Sequence, residues 1–204
     1  MEKNIQKQNK FKLFANLIIN SLKNNLKIII SIFLLFIVSF IVSYIFIYFN
    51  IFEFKTAGDF VLSQFKNKVG LENIGQISTI DIFIKIVTNN LFVALLSYVL
   101  NIFSLFVVLS NAFLMAYVLY TTNPFKFIVL IAPHGIIEIP ALIISCSGGI
   151  VLLKSIYYFI KKDKNNYKLY LKDSFNLLIF SIFLFIIAGI IESTITFEIA
   201  KFIG

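Results

Sequence analysis

Residues 28–49, IIISIFLLFIVSFIVSYIFIYF, run for 22 positions without a charged side chain. A helix rises about 1.5 Å per residue, so this stretch covers about 33 Å, enough to cross a hydrocarbon core about 30 Å thick. A cleaved leader would have an apolar run of only about 7–15 residues followed by small residues. Here Tyr44, Tyr48 and Phe49 close the run, as an aromatic belt at a membrane interface would. The stretch is therefore a first membrane span, and the fold is decided by a lipid solvent.

Working outward, residues 1–27 carry Lys3, Lys7, Lys10, Lys12, Lys23 and Lys27 beside Phe11, Phe14, Ile18, Leu22 and Leu26 at spacings of three and four. That pattern predicts an amphipathic helix on the cytoplasmic membrane surface. Downstream, residues 50–90 mix Lys55, Lys66, Lys68 and Lys85 with Glu53, Asp59, Glu72 and Asp81 and read as an outer loop with short helices. Val61, Phe65 and Val69 mark one such helix, with Gly70 and Gly75 after it; Ser78 and Asp81 have capping-box spacing.

Residues 91–120 are apolar for 30 positions, long for one span and short for two. With the amphipathic lead-in from Thr79, two short spans meeting near Asn101 to Ser104 are allowed. Thr121-Thr122-Asn123-Pro124 is a turn signal. A fourth span starting with Pro133 as its first helical residue would run over 133–153. Asp173 and Ser174 can cap a last helix from Phe175 to about Thr196. The reading is an all-α, polytopic transmembrane bundle of about five spans, with 28–204 as one membrane domain. The N-terminal segment and the 154–172 loop hold 6 + 6 = 12 of the 18 lysines. By the positive-inside rule, a multi-pass protein of the cell membrane results, with its N-terminus cytoplasmic and its C-terminus outside.

Composition agrees, with 59% hydrophobic residues, 14% charged and a mean hydropathy of +0.93. One modest soluble core could not receive that much apolar surface. A single cysteine, Cys146, excludes an internal disulfide, and one histidine excludes the His-Glu-x-x-His zinc pair. The net charge of +8 has no soluble module to present it to nucleic acid. There is no serine elbow or phosphate loop, so no enzyme activity, cofactor or resident metal is expected.

The polar residues inside the spans carry the interest. His134 and Glu138, four apart, share a helix face and can hydrogen-bond, relay a proton or hold a cation. Pro140 removes a backbone donor from the carbonyl of Ile136 beside them. A helix beginning at Pro133 would put His134 and Glu138 at the height of Glu192, making one cluster in the outer half of the bundle. A helix beginning at Phe125 would sink His134 about 13 Å and separate them. The small run Ser145-Cys146-Ser147-Gly148-Gly149 reads as close helix packing.

Pro133-His134-Gly135-Ile136-Ile137-Glu138-Ile139-Pro140-Ala141 resembles the central signature of the stage II sporulation protein M family. Asn89-Asn90-Leu91-Phe92-Val93-Ala94 and Ile191-Glu192-Ser193-Thr194-Ile195-Thr196 follow the family pattern in matching order, so the resemblance covers about residues 80–199. It implies a five-span membrane protein without enzymatic activity, a membrane partner of cell-wall hydrolases in spore formers. From this come two expected functions. The first is a non-catalytic scaffold that recruits other membrane or cell-envelope proteins, in lipid, through the 50–90 loop. The alternative is a small transporter or channel working through a polar site around His134 and Glu138.

Overall fold

The computed structural model describes residues 2–69, 79–196 and 198–199 of the chain, with the side chains of 2–11 and 65–69 left aside. Seven α-helices follow in order: α1 (Glu2–Asn24), α2 (Leu26–Tyr48), α3 (Phe54–Val69), α4 (Thr79–Val99), α5 (Ser104–Thr121), α6 (Pro124–Ile160) and α7 (Lys164–Ile191). Among the described residues there is no strand, and α2, α4, α5, α6 and α7 are long and apolar enough to cross a membrane. The first span begins two residues earlier than expected, and α1 ends at Asn24. The 79–120 stretch does form two spans. A 3₁₀ turn, Asn101–Phe103, makes the corner, with Asn101 at φ 54°, a left-handed conformation that asparagine tolerates. Ser78, Gly70 and Gly75, read from sequence as cap and terminators, lie outside the described residues.

Two expected boundaries are corrected. α6 starts at Pro124, not Pro133, because the Asn123 side chain accepts the Lys126 backbone N–H at 2.7 Å and proline is preorganised at the first position. α7 starts at Lys164, not Phe175, because Asp163 accepts the Asn166 N–H at 3.1 Å. Asp173 and Ser174 therefore lie inside the helix, not at its cap. The Asp173 carboxylate accepts hydrogen bonds from Ser21 Oγ at 2.8 Å and from the Asn24 and Asn25 amides, each at 3.1 Å. Asn176 adds a bond to Ser21 Oγ at 2.9 Å, so a buried polar clamp fastens α1 to α7.

The long antiparallel pair α6–α7 is the spine; α4 packs across both, and α2 packs on α5. Ile32 and Phe36 of α2 meet Val108 and Ala112 of α5 and Ile143 and Cys146 of α6. On the outward face of α2, Phe33, Leu34, Ile37, Val38 and Ile41 are exposed, the surface a lipid solvent covers. The small run in α6 does pack closely. Ser145 Oγ donates to the Ala94 carbonyl at 2.7 Å, and a Cβ on Gly149 would stand 2.7 Å from the carbonyl oxygens of Ser97 and Tyr98. At the other end of the bundle, α3 lies over α2 and α5, with Gly58 against the Tyr117 ring and Tyr117 donating its hydroxyl to Asp59.

Candidate functional site

α6 continues for 37 residues through two internal prolines, Pro133 and Pro140. Each withdraws the N–H that would have bonded the carbonyl four residues back, those of Val129 and Ile136. Between the prolines sit His134, Gly135 and Glu138. His134 is only 7% exposed, and its Nε2 lies 3.8 Å from Glu138 Oε2, across one helical turn. That separation is too long for a direct hydrogen bond.

The other half of the site comes from the end of α7. There the helix widens into a π-helical turn, Glu192–Thr196, a distortion often found at functional sites. Thr196 Oγ1 lies 3.2 Å from His134 Nδ1, and one donor atom each from His134, Glu138 and Glu192 fall within 4.8 Å of one another. The cluster expected from sequence is therefore formed.

The reason differs from the expected one. α6 begins at Pro124, the case that was to separate His134 from Glu192, yet the two meet. Height is set by the turn joining the antiparallel pair. His134 is 160 − 134 = 26 residues before the end of α6 and Glu192 is 192 − 164 = 28 residues after the start of α7. At 1.5 Å each these rise about 39 and 42 Å from the turn, the same level to within one helical turn.

α4 closes the site. Gly189 of α7 has no room for a Cβ, which would stand 2.6 Å from Val87 Cγ2, so the two helices approach closely. This brings Asn89 and Asn90 to the wall of a cavity of about 310 Å³ that His134, Glu138, Glu192 and Thr196 also line. Asn90 is 5% exposed, and its amide nitrogen has no hydrogen-bond partner. Gly135 lines the cavity; Pro133 and Pro140 shape α6 without lining it. Among the described lining residues are two carboxylates and no lysine. Asn111 also lines the cavity, a place that no spacing in the sequence marks, and Thr196 was legible only as a helix end and part of a motif.

The profile of the stage II sporulation protein M family matches residues 32–197. The chain belongs to that family. The matched stretch holds every residue named in the cavity wall and leaves out α1. An uncharacterized protein of Methanocaldococcus jannaschii is 45% identical over 157 residues, 74% of this chain and 73% of its own. A second uncharacterized protein of that organism is 41% identical over 86 residues, 41% of this chain and 48% of its own. No solved structure matches this family member.

Proposed function

We propose that this multi-pass membrane protein is a small transporter or channel that admits a cationic solute to the cavity between α4, α6 and α7. The observation that supports it is the convergence of His134, Glu138 and Glu192 within 4.8 Å on a cavity wall that carries no lysine among its described residues. Carboxylates inside a bundle are costly unless something positive joins them. A role confined to holding the helices together would be served by a dry, filled contact. In this reading the chain is not an enzyme, and the lysine-rich α6–α7 turn and α1 face the cytoplasm.

The scaffold reading rests on the segment 50–90, of which 70–78 lie outside the described residues, and no geometry among its described residues favours a particular partner. The two readings separate in proteoliposomes. Purified protein should pass at least one member of a panel of protons, monovalent and divalent cations. No flux of any of them, together with recovery of one defined protein by crosslinking from residues 55–64 in native membranes, would reject transport in favour of the scaffold.

A further inference from the structure

We propose that the solute of this cavity is a first-row divalent metal ion, held by Nε2 of His134 and the carboxylates of Glu138 and Glu192. The inference rests on the reading of the cavity as a cation site and names the ion.

Charge comes first. A single dication neutralises two carboxylates in a low-dielectric wall at one point, whereas a monovalent cation leaves one of them to be neutralised by a proton. The ligand set comes second. Magnesium and calcium favour all-oxygen shells, and copper(I) favours sulfur ligands; one imidazole with two carboxylates suits manganese(II), iron(II) or zinc(II). Cys146 is not part of the wall and sits instead against Ser104 Oγ, at 2.7 Å.

Geometry comes third. Such ions hold nitrogen and oxygen donors at about 2.0–2.2 Å, so donors on opposite sides lie about 4.3 Å apart. The present set spans up to 4.8 Å, so the donors must draw together by about 0.5 Å or more for one ion to hold all three. The histidine is already oriented, because Thr196 Oγ1 can accept from Nδ1–H at 3.2 Å, leaving the Nε2 lone pair for the ion.

The buried Asn90 amide is an independent pointer. It has no hydrogen-bond partner, and it can donate to a ligating carboxylate or, flipped, accept from a water bound to the ion. The volume of about 310 Å³ leaves room for waters to complete the shell.

The test uses full-length protein purified without a histidine tag, stripped with a chelator and titrated in detergent with Mn²⁺, Zn²⁺ and Co²⁺. One ion per chain is expected. Glu192→Gln and His134→Gln should each weaken it about a hundredfold or more, while Glu53→Gln, outside the cavity, leaves it unchanged. Co²⁺ bound to wild-type protein should show visible ligand-field bands with a histidine nitrogen in its shell, a readout that needs no variant to fold. Wild-type binding no stronger than that of the His134→Gln/Glu192→Gln double variant overturns the assignment. If a glutamate-dependent proton or monovalent flux persists in that case, the transport reading stands without the metal. Metal binding without flux supports the metal site and rejects transport.

Discussion

His134 Nδ1 and Thr196 Oγ1 face each other at 3.2 Å, although 62 residues separate them in the chain. The contact ties the proline-bounded segment of α6 to the π turn that ends α7, and it engages Nδ1 while Nε2 lies 3.8 Å from Glu138 Oε2. Thr196→Val keeps the shape and removes the acceptor. Binding of the cavity ion should fall about 10–100-fold, the range for a lost outer partner of a ligating histidine. Thr196→Ser should restore it. Equal titration curves for the valine and serine variants would show that Thr196 does not orient the ring.

Gly149 sets the separation of α4 from α6. Gly149→Ala drives a methyl group into the carbonyls of Ser97 and Tyr98, backbone that cannot swing aside. The expected cost is about 1–3 kcal/mol, typical of overpacking. Gly148 is the internal comparison, because a Cβ there stands at 3.3 Å or more from its neighbours. Thermal unfolding in detergent should rank Gly149→Ala well below both wild type and Gly148→Ala.

Asp173 holds α1. Asp173→Ala removes the acceptor of the buried Ser21 hydroxyl and of one Asn25 N–H, each loss costing about 1–3 kcal/mol if the donor stays buried and unpaired, and it frees the exposed Asn24 amide, so α1 should loosen from α7. Trypsin should then cut at Lys12 and Lys23 faster than in wild type, with the 28–204 bundle intact. Unchanged cleavage would mean that the bilayer, not the clamp, holds α1.

The five long apolar helices and the helical form of α1 were legible because apolar run length and periodicity report directly on helix length and face, whereas the sequence of 79–120 allowed one span or two and the corner at Asn101–Phe103 decides for two. The His134, Glu138 and Glu192 cluster was legible from residue type, and its height was not, because helix starts were taken as membrane boundaries. α6 and α7 outrun the other spans, so their common turn is the correct origin. Asp173 shows a second limit. An Asp-Ser pair ahead of an apolar run looks like a helix cap, and only the fold reveals Ser21 and Asn25 waiting for the carboxylate 150 residues upstream, to within a few positions.

The true cap, Asp163, gives a pH signature outside the membrane. Hydrogen bonds from the Asn166 side chain and backbone hold its carboxyl below the usual range. A depressed folded value contributes stability above the unfolded value of about 3.9 and loses it as pH falls through the folded value. Hydrogen exchange at the Asn166 amide, corrected for its intrinsic pH dependence, should therefore quicken on acidification below about pH 4. Asp163→Ala should show the faster exchange already at neutral pH.

The most direct measurement is cation flux per reconstituted molecule, compared between wild type and Glu138→Gln/Glu192→Gln. The double variant keeps the shapes of both side chains and removes both charges. Provided the two proteins elute alike and are equally helical, wild type should carry flux and the variant at least about tenfold less, the loss expected when a site's charged groups are removed. Equal flux through both would contradict the account, because the cavity charges would then have no part in what the protein does.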